Sequence, residues 1–341
     1  MMEMSETLAK LAAGVDLDSD EMTVMMQSIM TGEATPAQIG SALTALRIKG
    51  ETVEEITAAA RVMRDLASKV PVTHGEMIDT CGTGGSGVSK FNVSTASAIV
   101  IASAGLKVAK HGNRAASGVS GSADVLEAAG LRLDMSPGAV AASIEEIGVG
   151  FLFAVNHHSA MKHAIGPRRE LKFRTIFNLL GPLTNPAGAR RQVLGVFDRH
   201  WLTPMAEVLG RLGATRAMVV HSRDGLDEIS PVAVTDVAEW NAGAVRAFQI
   251  EPGSLDCALP SLDELKVADA RESLEMIKAA FSGEHDAAEK MIALNAGAAL
   301  FVADAAESLQ EGVDTARGEM RSGRALEKLQ ALVAFSQESA Q

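Results

Sequence analysis

The sequence predicts an α/β protein: a small all-helical N-terminal domain over residues 1–72, then a larger α/β domain over residues 73–341 with a mostly parallel central sheet. Three observations carry this expectation. Helix starts recur through the first seventy residues, and from about residue 74 short apolar runs alternate with helical stretches. A chain of 341 residues with 47% hydrophobic content is also long enough to build two domains.

The helical part is legible from its caps. Asp18 with Glu21, Thr35 with Gln38, and Thr52 with Glu55 have the spacing at which side chains satisfy each other's orphan amides at a helix N-terminus. Pro36 follows Thr35 at the first helical position, where its missing N–H costs nothing. Ile39, Leu43 and Leu46 share one face of the second helix, and Val53, Ile56, Ala60 and Met63 one face of the third. Gly32 and Gly50 are expected to end helices. These apolar faces need cover, from within the chain or from another copy.

After Met77 and Ile78 the chain reads D-T-C-G-T-G-G-S-G-V-S-K-F-N-V-S-T, Asp79 to Thr95. Glycines 82, 84, 85 and 87 can bring backbone amides close to an anion, and Ser94 to Ala104 suits a buried helix whose N-terminus favours negative charge. Asn92, Ser94 and Thr95 add side-chain donors at that end. Taken alone, the loop could equally be a tight turn. A nucleotide P-loop is disfavoured because Gly87 is followed by Val88, with no Lys-Ser or Lys-Thr pair. Gly82, Gly84 and Gly87 match G-x-G-x-x-G, but Lys107 and Ala109 stand where a dinucleotide fold needs an acidic residue.

A second polar loop, K-H-G-N-R-A-A-S-G-V-S-G-S, runs from Lys110 to Ser122. Beyond it, strands are predicted at Val149–Ala154, Val193–Phe197 and Ala217–His221, and helices at Ser122–Ala129, Pro137–Ile147 and Leu202–Leu212. Loops beginning at Cys81, Lys110 and His221 would converge at the strand C-termini, where such sheets bind ligands.

Composition narrows the partners. Lys plus Arg number 31 against 43 Asp plus Glu, and a net charge of -12 disfavours nucleic acid and anionic membranes while allowing a local basic pocket. Two cysteines, Cys81 and Cys257, make neither a disulfide framework nor a multi-thiolate zinc site, and suit a cytoplasmic protein. Cys81 reads as a small residue packed under the loop, with no adjacent base to activate it. No signal peptide and no membrane span are expected. His157, His158 and His163 lack metalloprotease spacing and an intervening carboxylate, so zinc is not expected. Read alone, Asp227-Glu228 and Arg168-Arg169 are solvated surface pairs.

Together these segments resemble the anthranilate phosphoribosyltransferase family, within the nucleoside phosphorylase fold family, whose loops are usually written G-T-G-G-D-G, N-x-S-T and K-H-G-N-R. Phe151 to His163, Arg174 to Ala187, Asp224 to Ser230 and Asn295 to Leu300 agree in the same order. The resemblance implies transfer of a phosphoribosyl group from 5-phosphoribosyl 1-diphosphate to the amine of anthranilate, releasing pyrophosphate, in tryptophan biosynthesis. It implies a diphosphate-binding set in the larger domain: Gly82, Gly85, Ser86 and Lys90; Asn92, Val93, Ser94 and Thr95; Lys110, His111, Gly112, Asn113 and Arg114; and Ser117, Gly118 and Ser122. Anthranilate would meet Gly82, Asn113, His158 and Arg168, a guanidinium fork suiting its carboxylate. Two Mg2+ ions would be held with the help of Ser94, Asp227 and Glu228. For Ser94 and Ser122 the plain alternative is helix capping. No acid–base residue is assigned. A homodimer through the helical domain is also implied, with a helical segment near 163–188 joined to that domain.

Several positions depart from the family pattern. Ser86 stands in place of the usual aspartate, Lys90 of a small hydroxyl residue, Val119 of a frequent lysine, and Ser159 and Ser222 of proline and glycine. Lys90 is expected to replace the charge missing at Val119, and Ser86 to remove a carboxylate that would repel phosphate or bind metal. Two other functions are weighed. A pyrimidine nucleoside phosphorylase-like enzyme would share K-H-G-N but not need the Asp-Glu pair, and a non-enzymatic nucleic-acid-binding relative would need a basic face.

Overall fold

The computed structural model describes residues 4–73, 75–85, 87, 90–115 and 118–338. Four helices come first: α1 (Met4–Ala12), α2 (Ser19–Thr31), α3 (Pro36–Lys49) and α4 (Val53–Leu66). All three capping boxes form, at Asp18, Thr35 and Thr52, and Gly32 and Gly50 follow α2 and α3 with φ of 86° and 89°. Loss of one such cap costs about 1 kcal/mol. Glu55 does more than cap: fully buried, it also accepts from the amide of Leu17 and pairs with Lys49 at 3.0 Å.

The rest alternates. In order come β1 (Met77–Gly82), α5 (Val93–Ser103), β2 (Lys107–Gly112), α6 (Ser122–Ala128), α7 (Pro137–Glu146), β3 (Val149–Phe153), α8 (Ala154–His157), α9 (Lys162–Leu171) and α10 (Phe177–Leu180). Then follow β4 (Arg191–Gly195), α11 (Leu202–Arg211), β5 (Arg216–Ser222), β6 (Thr235–Asn241), β7 (Ala244–Ile250), α12 (Ala270–Phe281), α13 (Asp286–Val302), α14 (Leu309–Arg321) and α15 (Arg324–Glu338). The sheet runs β3-β2-β1-β4-β5-β6-β7; the first five strands pair in parallel, and β6 pairs antiparallel with both β5 and β7.

Most predicted ends fall within two residues, but three features differ. Cys81 and Gly82, where the first loop is expected to begin, continue β1, because each pairs with a residue of β4. Lys110 to Gly112, also taken as loop, continue β2 against Phe151 to Phe153. The β6–β7 hairpin was not foreseen; its two-residue turn has Ala242 and Gly243 both at positive φ, 48° and 86°, a primed turn without the usual asparagine.

The helical part has no separate core. Met26, Ile29, Leu43, Leu46 and Ile56 belong to one continuous apolar cluster with Phe177 and Leu180 of α10, Met205 and Leu209 of α11, and Leu194 and Val219 of the sheet. The apolar faces of the first four helices are therefore covered within the chain, each buried leucine contributing about 2–3 kcal/mol. Arg64 of α4 ties the same region together, donating to the carbonyls of Leu183 (2.6 Å) and Leu212 (2.9 Å). The other sheet face packs on α5, α13 and their neighbours.

Candidate active site

Strand order reverses at β1: the chain moves outward through β2 and β3, then returns to the other side of β1 as β4 and β5. A crevice opens at such a switch point, outside the strand C-termini. Here it is floored by Gly82 and Gly195, register partners that end β1 and β4. A Cβ on Gly82 would stand 2.5 Å from Asp227 Oδ2, and one on Gly195 only 1.5 Å from the Asp227 carbonyl oxygen. Glycine at both positions is what lets Asp227 reach the floor.

Asp227 and Glu228 lie in the β5–β6 connection, and their placement is enforced from behind. Asn295 of α13 accepts from the amide of Ile229 (3.0 Å) and donates to its carbonyl (2.9 Å). The Ser230 hydroxyl donates to Asp224 at 2.5 Å. A cavity of about 20 Å3 is lined by Ser94, Asp227 and Glu228 together with Thr80, Cys81 and Asn295. That is room for about one water or one ion. The three expected metal ligands are thus brought together, although among the described residues no cluster of three or more His, Cys, Asp or Glu could hold a metal unaided.

The charges here are coupled. Burial, then the neighbouring Asp227, pushes the Glu228 carboxyl up to about 7. Lys90 Nζ stands 2.9 Å from Glu228 Oε2, off the hydrogen-bond direction, and 3.7 Å from Asp227 Oδ1. Burial works against the Lys90 charge, but the two carboxylates outweigh it and hold its pKa above the usual lysine value. The Lys90 ammonium, expected to make up for the charge missing at Val119, stands against Asp227 and Glu228.

The glycine loop is tied to the end of β4. Gly84 and Gly85 have φ of 71° and 84°, and the Gly84 amide donates to Asp227 Oδ2 at 2.8 Å. The Gly85 carbonyl accepts from Arg174 Nη2 at 2.6 Å, and that guanidinium stacks 4.2 Å from the Phe197 ring centroid. Thr83 Oγ1 accepts from the Phe197 amide at 2.9 Å. Ser86 and Ser117 lie outside the described residues.

The capping alternative weighed for two serines does not hold. Asn92 is the N-cap residue of α5, with no side-chain cap bond, and Ser94 lies inside the first turn after the buried Val93. Gly121 is the N-cap of α6, so Ser122 is not; its oxygen accepts from the Thr95 hydroxyl at 2.9 Å. Asn92 joins the two loops, donating to the Ser120 carbonyl and accepting from the hydroxyls of Ser120 and Ser273.

The K-H-G-N-R segment departs most from its expected part. Lys110 is 2% exposed and donates to the His111 carbonyl, its charge set beside the fully buried Asp79 rather than exposed on a loop. Asp79 accepts from the His111 amide (3.1 Å) and from Asn185 (2.9 Å). Arg114 pairs with Asp124 and Glu127, at 2.9 and 2.7 Å, so its charge is already met on α6. A Cβ on Gly112 would meet Phe151 and Ser122 at 2.9 Å, whereas Gly118 is exposed with open space around it. Asn113 is exposed and accepts from the amide of Arg114.

On the anthranilate side, the His158 ring lies 5.3 Å from that of His111, next to the end of β2. Burial, then His157, lowers His158 to about 4; burial, then His158, holds His111 well below the usual histidine value. Both are neutral at pH 7, and their Nε2 atoms are buried without hydrogen-bond partners. Arg168 of α9 sits 5.1 Å over the Phe177 ring, half-buried, its pKa lowered by burial alone. Among the described residues no carboxylate pairs with it, and no hydrogen bond joins it to Gly82, Asn113 or His158. A partly desolvated guanidinium without a carboxylate partner is suited to an anion.

Four positioning residues escaped the sequence reading: Asp79, Arg174, Asn185 and Asn295. Three of them lie within or beside segments that matched the family motifs, R-T-I-F-N-L-L-G-P-L-T-N-P-A and N-A-G-A-A-L, and the buried aspartate that opens D-T-C-G was a fourth signal.

Comparison with known proteins covers both parts of the fold. A family model described as "Glycosyl transferase family, a/b domain" matches residues 74–326, and one described as "Glycosyl transferase family, helical bundle domain" matches residues 5–67. The anthranilate phosphoribosyltransferase of Thioalkalivibrio sulfidiphilus is 57% identical over 98% of this chain and 99% of its own length; that of Teredinibacter turnerae is 54% identical with the same coverage. The crystal structure of the Thermus thermophilus anthranilate phosphoribosyltransferase superposes with a TM-score of 0.92 at 43% identity, covering 97% of this chain and 99% of that one. The Saccharomyces cerevisiae enzyme in complex with PRPP and Mg superposes with a TM-score of 0.88 at 25% identity, covering 98% of each. With both parts of the fold and nearly its whole length matched, the chain belongs to the anthranilate phosphoribosyltransferase family.

Proposed function

We propose that this chain transfers the phosphoribosyl group of 5-phosphoribosyl 1-diphosphate to the amine of anthranilate, giving N-(5-phosphoribosyl)anthranilate and pyrophosphate in tryptophan biosynthesis. The observation that carries the reading is the meeting of a glycine loop and the paired carboxylates Asp227 and Glu228 over Gly82 and Gly195, at the sheet's switch point. In the reaction the C1–N bond forms as the C1–O bond breaks, and the electron pair leaves with the diphosphate.

The donor set suits Mg2+, which takes one or two carboxylates plus substrate phosphates and water. Asp227 and Glu228, with Ser94 for a second ion, would hold it; the metal supplies charge neutralisation for the departing diphosphate. The amides of the 82–87 loop and of the first turn of α5 would orient the phosphates. Arg168 would bind the anthranilate carboxylate, with Gly82, Asn113 and His158 beside it. Anthranilate's aromatic amine is neutral at pH 7, so no base need act before attack; the proton can leave afterwards to water or to the substrate's carboxylate. Lys110, buried in β2 beside Asp79, and Arg114, already paired on α6, would contribute by shaping the segment between them.

The larger domain, residues 73–341, would carry the phosphoribosyl site, and the helical domain, residues 1–72, joined by the 163–188 segment, would form the homodimer contact. Val15, Ile48 and Leu66 are exposed on the helical part, Ile48 by 81%. A cytoplasmic enzyme fits this pathway. Loss of anthranilate fluorescence on adding donor and Mg2+, much slower in Arg168→Ala at low anthranilate, tests the assignment. No loss with the folded protein, or phosphorolysis of a pyrimidine nucleoside without Mg2+, overturns it.

A further inference from the structure

Lys90 is a departure from the family pattern that the fold places at the centre of the site. Its backbone is pinned: it bridges to Lys266, the next residue's amide donates to the Leu265 carbonyl at 3.2 Å, and the Phe91 side chain is 1% exposed. From that anchor the side chain, itself 10% exposed, reaches both carboxylates, while the Gly84 amide takes the remaining Asp227 oxygen. In this arrangement the Lys90 charge offsets both carboxylates, although Glu228 Oε2 itself accepts no hydrogen bond.

We propose that Lys90 is a tethered cation that competes with the divalent ion for Asp227 and Glu228, so that metal binds well only when a diphosphate arrives to draw the ammonium away. This rests on the reading of Asp227 and Glu228 as metal ligands. The argument is one of space and charge. A Mg2+ ion sits about 2.0–2.1 Å from a carboxylate oxygen. Lys90 Nζ already stands 2.9 Å from Glu228 Oε2, so an ion on that oxygen would be pressed against a like charge. The tether also keeps the competitor at an effective concentration of about millimolar or more. A diphosphate changes the balance by offering the ammonium new anionic partners and the metal additional oxygens. Lys90 would thus set the order of binding, with substrate before or together with metal.

The test is a calorimetric titration of Mn2+ into the substrate-free full-length protein, then into protein saturated with pyrophosphate. Wild type is compared with Lys90→Thr, Lys90→Met and Lys90→Arg, and with Asp227→Asn and Glu228→Gln. Circular dichroism confirms folding of each, and Lys90→Met retains the apolar stem should threonine disturb packing. Without pyrophosphate, the Thr and Met variants should bind Mn2+ about tenfold or more tightly than wild type, and the Arg variant as weakly as wild type. With pyrophosphate the gap should close. Equal Mn2+ affinity in wild type, Lys90→Thr and Lys90→Met, with binding still lost in the carboxylate variants, overturns the competition. Unchanged binding in the carboxylate variants instead overturns the ligand assignment itself.

Discussion

Gly195→Ala should disable the site from below without touching a substrate-binding side chain. The new Cβ would lie 1.5 Å from the Asp227 carbonyl oxygen, against the 3.4 Å at which ordinary contact begins, so a gap of about 1.9 Å must be opened. The obstructing atom is main chain, and Gly195 is held in register between Gly82 and Val220, so no rotamer can relieve the clash. The Asp227-Glu228 segment must lift, although Asn295 holds it from the other side. Misplacing a catalytic group by about 1 Å can cost about 100-fold, so kcat/KM should fall by at least about 100-fold, or about 2.7 kcal/mol of transition-state stabilisation. Overpacking should also lower stability by about 1–3 kcal/mol. Initial rates from anthranilate fluorescence, with thermal unfolding of the same preparation, measure both. A folded Gly195→Ala protein within about threefold of wild-type kcat/KM would refute the claim that glycine is required there to seat Asp227.

Three further outcomes are expected. Arg168→Ala should raise the KM for anthranilate about 10- to 100-fold, since hydrogen bonds to charged groups contribute about 1.5–3 kcal/mol, and Arg168→Lys should restore only part because the planar fork is lost; a KM unchanged in Arg168→Ala would remove it from the acceptor site. Because the unfolded chain takes up protons near pH 6.5 that His158 refuses until about pH 4, stability should be indifferent to this group above pH 6.5 and fall as pH drops through that window, by about 2 kcal/mol at pH 5. Urea unfolding at pH 7 and pH 5 reads this, and a His158→Asn variant with the wild-type pH slope would contradict it. Gly40→Ala, in α3 with nothing within 4 Å of the added carbon, should raise stability by up to about 1 kcal/mol, seen as a higher Tm with unchanged activity.

How far the sequence could be read follows from the range of the forces involved. The capping boxes at Asp18, Thr35 and Thr52 were legible because the partners lie three residues apart and need no other part of the chain. The buried helix after the glycine loop was legible from its run of small and branched residues. The extent of β1 and β2 was not, because residues such as Asp79, Gly82 and Lys110 have weak strand preference and are extended only by pairing with β4 and β3. Capping stayed open as an alternative for Ser94 and Ser122 because side-chain type alone does not say where a helix begins.

The chain's own order therefore determined the helix starts, the positions of the glycines and the inventory of acids, bases and amides available to a phosphoribosyl site, since each is set by covalent neighbours. Tertiary structure alone decided which charges meet. Gly84 and Asp227 are 143 residues apart, yet the strand crossovers place an amide and a carboxylate at hydrogen-bonding distance. The same folding sets Lys90 on the two carboxylates, gives Lys110 to Asp79, and leaves Arg168 without an ion-pair partner among the described residues. Electrostatic partnership depends on distance through space and on the water excluded between groups, and neither is written in sequence separation.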